Sequence, residues 1–391
     1  MNNTRIPQHL PLRNDLVGLQ PYESFDTPVP VRLNTNENPY AVPKTVLRAV
    51  VDAVEHAVKS VNRYPNDGFY ELRVRLADYV HKLEGLKFSV DQLIAANGSN
   101  EIMLEIFQAF GGPGRACISF SPAYSMYPRF CRDSFTELVE VPRVPDKFTI
   151  DVDKAAEKIV EVGPSIVVIT SPNNPTGTHT SLDDLRKILE VAQNARVKSA
   201  DANARAVVVV DEAYADFRDP TCGTGLELLE EFPNLLVVKT LSKAFSFAGV
   251  RLGFALASPG IISALRIVRL PYNLSTVTQA VVIAALERAP EMLEAVEEIK
   301  YERAQVLEQL KHLQYQGESF IVVPTQANFI QIGFSSNLPN FQQLPEKLHA
   351  YMLDNGVLIR KVGAPGYFRI TIGTPEENQR FLNLLKSWVA Q

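Results

Sequence analysis

Cysteine is scarce in this chain of 391 residues: Cys117, Cys131 and Cys222 are the only three, an odd number with no C-x-x-C spacing. That pattern excludes a disulfide framework. None of the six histidines lies near a cysteine in sequence or in an H-E-x-x-H frame, so no zinc site is expected. Long apolar runs are also missing. Runs such as AVVVV at 206–210 fall far short of the roughly 20 residues that cross a bilayer. The opening MNNTRIPQHLPLRNDL holds no apolar stretch of signal-peptide length, and the expectation is a cytoplasmic protein without a membrane partner. With a net charge of −5 there is no extended basic face, which argues against nucleic acid. A G-x-G-x-x-G fingerprint and a Walker motif are absent too, removing the usual sign of a nicotinamide dehydrogenase or a P-loop enzyme.

What is present is an ordinary globular composition, 46% apolar and 21% charged, on a chain longer than one hydrophobic core usually organises. Two unequal domains are expected. Five short apolar runs each end in a polar, Gly- or Pro-rich cluster: LIAA then NGSNE, ACISF then SPAYSMYP, IVVIT then SPNNPTG, AVVVV then DEAYADF, LLVVK then TLSKAF. Unalternating Val, Ile and Leu suit strands buried on both faces, and helical patterns between them, such as SLDDLRKILEVAQNA, suit a parallel sheet covered by helices. In such α/β sheets ligands collect at the carboxyl ends of strands, where these clusters fall. After PYNLST the pattern changes to a helical stretch over about 276–313, then FIVVPTQANFIQIGF and a strand–helix pair. The division is therefore an N-terminal segment 1–35, a large domain 36–275 and a smaller α+β domain 276–391. Thr374, Pro375 and Glu377 signpost the last helix with a capping box, and the polar stretch 194–205 reads as a surface insertion.

The clusters carry chemistry. Asp211 ends the most apolar run, where a carboxylate must neutralise, cap a helix or meet a cation. Tyr214 adds a phenol three residues on. Asn174, in a Pro-bounded turn, offers a fixed amide. Gly98 leads into a helix whose N-terminus suits an anion. Tyr124 could stack on a planar ligand or fill a core. Lys243 and Arg251 stand eight residues apart in TLSKAFSFAGVRLG. Pyridoxal phosphate needs all of these at once: an amine for its aldehyde, an acid for its ring nitrogen, donors for its phenolate and a cation for its phosphate.

NPTG, DEAY and TLSKAF-x-x-AG-x-R-x-G resemble the fold-type I aminotransferases of class I and II. Within that family VRLNTNENPY, RYPNDGFYELR, ANGSNE, ANFI and FRITIGT are similar to the histidinol-phosphate aminotransferases over nearly the whole chain. The resemblance implies a large domain with a mainly parallel seven-stranded sheet, pyridoxal 5'-phosphate as cofactor, a homodimer with shared active sites, and small-molecule substrates. It puts Lys243 on the lysine that bonds to the cofactor and Asp211 on the partner of the ring nitrogen. Tyr214 and Asn174 fall on the donors to the ring hydroxyl, and Tyr124 on the aromatic stacked over the ring. Gly98, Ser99, Asn100, Ser242 and Arg251 fall around the phosphate, where Tyr64 reaches in from the other subunit. Arg369, with Arg360 and Tyr22, falls on the substrate's anionic end, implying histidinol phosphate and 2-oxoglutarate as substrates. By its residues alone Arg360 could equally be a surface cation beside a strand. The same constellation would serve an aromatic aminotransferase or an amino-acid phosphate decarboxylase. Where the family often carries an acid, this chain has Asn100.

Overall fold

The computed structural model describes residues 10–21 and 27–391. After one 3-10 turn (Asn14–Leu16) come a two-residue strand, β1 (Val31–Arg32), and helices α1 (Lys44–Ala57) and α2 (Tyr70–Glu84). Then follow β2 (Leu93–Ala96), α3 (Ser99–Phe110), β3 (Ala116–Ser121), α4 (Tyr127–Asp133), β4 (Glu137–Pro142) and α5 (Val152–Val162). Next come β5 (Ile166–Thr170), α6 (Leu182–Asn194), β6 (Val207–Asp211), β7 (Leu235–Thr240) and β8 (Gly253–Ala257). Strands β2 to β8 form one seven-stranded sheet in the order β2-β8-β7-β6-β5-β3-β4. Pairings from β4 through β7 are parallel, and β8 runs antiparallel to both β7 and β2. The α/β fold with a mainly parallel sheet expected from the sequence is present, and the five apolar runs are five of its strands. The two-residue period explains their composition. Val208 and Val210 enter one core with Leu185 and Ile188 of α6, while Val207 and Val209 enter another with Ile102 and Phe107 of α3.

Helices α7 (Pro259–Val268), α8 (Thr276–Leu286) and α9 (Ala289–Lys311) follow. The stretch expected over about 276–313 is thus two helices. Pro290 sits in the first turn of α9, where its missing N–H cannot continue a ladder from α8. Val282, Ala285 and Leu286 of α8 join the large core, whereas Val296, Ile299, Val306 and Leu310 of α9 join a separate one. Around that second core lie β9 (Gln314–Tyr315), β10 (Glu318–Ser319), β11 (Ile321–Val322), β12 (Phe329–Gly333), α10 (Leu344–Asp354), β13 (Val357–Leu358), β14 (Arg360–Lys361), β15 (Tyr367–Thr371) and α11 (Pro375–Val389). Four of these strands make the sheet β11-β12-β15-β14, and β1 pairs parallel with β13. On this packing we place the division between the two units inside α9. Helix α11 opens as its sequence signposts: Thr374 Oγ1 accepts the Glu377 N–H, and Glu377 Oε2 accepts the Thr374 N–H. Segment 194–205 is mostly exposed and is tied down by the Lys198 N–H, which donates to the Gly163 carbonyl at 3.1 Å.

Candidate active site

The polar clusters beyond β2, β3, β5, β6 and β7 converge on one cavity of about 430 Å³. Because β8 runs the opposite way, Arg251, two residues before its start, reaches the same edge. Asn34 to Glu37, beyond β1, and Arg360 and Arg369, from the smaller sheet, complete the walls.

Asp211 is the last residue of β6 and is 5% exposed. Tyr127 donates its hydroxyl to Oδ2 at 2.8 Å and the Ala213 N–H donates to Oδ1 at 3.2 Å. Burial pushes this carboxyl up, with the two hydrogen bonds pulling the other way. Among the described residues no cation pairs with it. Of the fates open to this acid from sequence, a salt bridge is therefore not the one found. Its carboxylate faces the cavity instead.

Lys243 follows β7, and its Nζ donates to the Thr35 carbonyl at 3.0 Å. The side chain opens onto the cavity, but its amine is packed deeply enough that desolvation, followed by Arg369, draws its pKa down to about 8 against the pull of Glu37. Its Nζ lies 5.9 Å from the centre of the Tyr214 ring. The Tyr214 hydroxyl accepts from Asn36 Nδ2 at 3.0 Å and Asn174 Nδ2 at 3.3 Å, and Asn174 Oδ1 accepts from Arg369 Nη1 at 2.6 Å. One polar chain thus runs from Asn36 to Arg369 along the cavity wall. Tyr124 lines the wall as well, its ring edge-to-face with Tyr127 and its hydroxyl donating to Asn100 Oδ1 at 3.3 Å.

Gly98 precedes α3 with φ 84°, a conformation that suits glycine, and a Cβ there would overlap the Arg251 guanidinium. The close approach puts Arg251 against the N-terminus of α3, beside Ser99, Asn100 and Ser242 on the cavity wall. Arg251 Nη1 donates to the Ala248 carbonyl at 3.0 Å, and no carboxylate pairs with it among the described residues. Helix dipole, hydroxyls and an arginine together form a cradle for a dianion.

One expected residue, Tyr64, is not among the described residues that line this cavity. Tyr64 is 80% exposed and stacks on Tyr272 at 4.5 Å. Tyr22 lies outside the described residues. Others were missed from sequence: Tyr127, which fixes Asp211; Asn36, which holds Tyr214; Thr240, which donates to Ser242 Oγ at 2.9 Å; and Glu37. The signal for Tyr127 was its place three residues after Tyr124 in SPAYSMYP. Near Asp211 lies a buried charge cluster. Lys239 Nζ sits 3.4 Å from Glu212, 3.6 Å from Asp216 and 3.8 Å from Glu84, which also pairs with Arg218 at 2.6 Å.

The sequence model of the family Aminotransferase class I and II matches residues 28–385. The chain belongs to the class I and II aminotransferases. It is 46% identical to a histidinol-phosphate aminotransferase of Bifidobacterium adolescentis, covering 98% of this chain and 96% of that one. It is 44% identical to the Corynebacterium glutamicum protein of the same name, covering 96% and 95%. The fold is that of the histidinol-phosphate aminotransferase from Sinorhizobium meliloti, solved with pyridoxal-5'-phosphate, at a TM-score of 0.76, 20% identity and 92% of each chain. Aminotransferases of this family depend on pyridoxal phosphate, and the residues present fit it: a buried carboxylate that no cation pairs with among the described residues, two donors beside a lysine, and an anion cradle that a single added Cβ would block.

Proposed function

We propose that this aminotransferase carries an amino group from histidinol phosphate to 2-oxoglutarate, giving imidazole acetol phosphate and glutamate, reversibly, within histidine biosynthesis. The observation that carries the reading is a second set of cations, Arg360 and Arg369, in the same cavity as Arg251. One anion cradle serves the cofactor, which leaves the arginine pair for an anionic substrate end. A guanidinium fork binds phosphate and carboxylate alike, so one grip can serve an amino donor with a phosphate and an acceptor with a carboxylate. The relatives at 44% and 46% identity bear the matching name.

Asp211 would hold the ring nitrogen, Tyr214 and Asn174 the ring hydroxyl, Tyr124 the ring face, and Gly98, Ser99, Asn100, Ser242 and Arg251 the phosphate. When bound, pyridoxal phosphate supplies an aldehyde for the substrate amine and a ring that accepts the electron pair released at the substrate carbon. Asp211, as an anion at the ring nitrogen, keeps a proton on that atom. Lys243 Nζ, drawn down to about 8, is neutral often enough near neutral pH to take a proton from the substrate carbon and to return one. Arg369, with Arg360 and Tyr22, orients the substrate by its anionic end. The reading includes a homodimer in which Tyr64 reaches the partner's phosphate cradle; its exposure here leaves it available for that. It also includes a cytoplasmic setting, which suits three cysteines that are all free thiols.

The test is kcat/KM for histidinol phosphate against phenylalanine at fixed 2-oxoglutarate. A preference for histidinol phosphate of about 100-fold is expected for a charge-assisted grip. A preference for phenylalanine would assign the site to aromatic amino acids, and carbon dioxide release from an amino-acid phosphate would assign it to decarboxylation.

A further inference from the structure

Among the described residues five cationic side chains line the cavity: Lys243, Arg251, Arg360, Lys361 and Arg369. Against them, among the same residues, stand two carboxylates, Asp211 and Glu37. Asp211 has its task at the ring nitrogen. Glu37 has none in the chemistry above, and in a site that must take anionic substrates a second carboxylate weakens their binding. Its presence is offset if some other part of the ligand donates a hydrogen bond to it.

The backbone holds Glu37 in this place. Asn36 adopts a left-handed conformation with φ 54°, unusual for a residue other than glycine. Four contacts fix it: its N–H donates to Thr371 Oγ1 at 2.9 Å, its carbonyl accepts from Asn328 Nδ2 at 3.1 Å, its Nδ2 donates to the Tyr214 hydroxyl at 3.0 Å, and its Oδ1 accepts from Thr371 Oγ1 at 3.2 Å. On the far side Asn38 Nδ2 donates to the Ala244 carbonyl at 3.2 Å. The bend between these anchors turns Glu37 to the cavity mouth. Thr35 Oγ1 donates to Glu37 Oε2 at 2.9 Å, and the Thr35 carbonyl accepts from Lys243. Glu37 Oε1 has no hydrogen-bond partner among the described residues.

We propose that Glu37 is a specificity-determining residue whose carboxylate accepts an N–H of the amino donor's imidazole ring. The inference rests on histidinol phosphate being the donor. An imidazole carries at least one N–H in every protonation state, and a phenyl ring carries none. The arginine pair and Glu37 then read the two ends of one substrate: an anion at one, a ring donor at the other. Glutamate, with a carboxylate and no ring, engages only the arginines.

The test compares Glu37→Ala and Glu37→Gln with the wild type in two half-reactions, with histidinol phosphate and with glutamate as donor. Losing a hydrogen bond to a charged group corresponds to about 10- to 100-fold. Glu37→Ala is expected to lose at least tenfold more kcat/KM toward histidinol phosphate than toward glutamate, and Glu37→Gln, which keeps an acceptor and the side-chain size, to lose less. Calorimetric binding of histidinol phosphate to Lys243→Ala, with and without Glu37→Ala, should show the same weakening without turnover. Equal losses with both donors, or unchanged calorimetric affinity, would overturn the assignment. A wild type that prefers phenylalanine would instead defeat the donor assignment itself, and that result is seen before any variant is made.

Discussion

Arg360 and Arg369 stand directly opposite each other in the antiparallel pairing of β14 with β15, and both line the cavity. Like charges opposed across two strands are unfavourable by themselves, and an anion bound between them reverses the sign. Arg369 is also aimed: Nη1 donates to Asn174 Oδ1, Nη2 donates to the Asn34 carbonyl at 2.8 Å, and the guanidinium lies over the Phe329 ring at 5.1 Å. Arg369→Ala is therefore expected to lower kcat/KM for histidinol phosphate by about 100- to 1000-fold, and Arg369→Lys by more than about tenfold, since an ammonium cannot reproduce the fork. Steady-state kinetics decide it. Unimpaired turnover in Arg369→Ala would remove the anion grip.

Lys243 gives a pH dependence whose sign can be worked out. An unfolded lysine titrates near about 10.4, and the folded amine is drawn down to about 8. Between those values the unfolded chain binds more protons, so the stability of the cofactor-free protein rises with pH across that window. Below about 8 the cost of burying the charged amine is fully present. Cofactor-free Lys243→Met should therefore melt above the cofactor-free wild type at pH 7. That advantage should shrink from about pH 8 upward. A gap constant from pH 7 to 10 would contradict a depressed amine pKa.

Gly98→Ala sets two costs against each other at one atom. The added Cβ meets the Arg251 guanidinium, and φ 84° is a conformation alanine rarely adopts. Stability is expected to fall by about 1–3 kcal/mol, and affinity for pyridoxal phosphate to fall with it as Arg251 is displaced. Absorbance titration with the cofactor checks the second part, and wild-type affinity would mean that Arg251 is not part of the cradle.

Complementation tests the shared site. If Tyr64 serves the partner, Tyr64→Ala and Lys243→Ala each impair their own homodimers, but a mixed dimer contains one site with both residues intact. After joint refolding about a quarter of the sites should regain full activity, from half of the dimers and half of the sites in each. A refolded mixture no more active than its components would confine Tyr64 to its own subunit.

The buried part of this molecule was the legible part. AVVVV and IVVIT read as strands because both faces of β6 and β5 are covered, which leaves no polar letter to confuse the pattern. Strand β4, ELVEVP, went unread because it is the sheet's edge and alternates with solvent. Strand β8 also went unread, for GFALA is short, rich in small residues and follows directly on the loop that drew attention. In the site, residues within a recognisable stretch were found: Lys243, Asp211 and Asn174. Tyr127 and Asn36 were not, because what they do depends on partners 84 and 178 residues away, contacts that no local pattern records.

The cluster of Lys239, Glu84, Glu212, Asp216 and Arg218 has a consequence for how this chain can change over time. Three acids share two bases in a largely buried cluster, and burial already pushes the Asp216 carboxyl up, with Lys239 pulling it back. Losing any one partner strands a charge at a cost of about 3–5 kcal/mol, a large share of a typical domain's whole stability. The five positions therefore drift as a set or not at all. Glu84 ends α2, whereas Glu212, Asp216 and Arg218 follow β6 and Lys239 lies in β7, so a chimaera that exchanges 207–240 with a relative inherits a matched interior only if α2 travels with it.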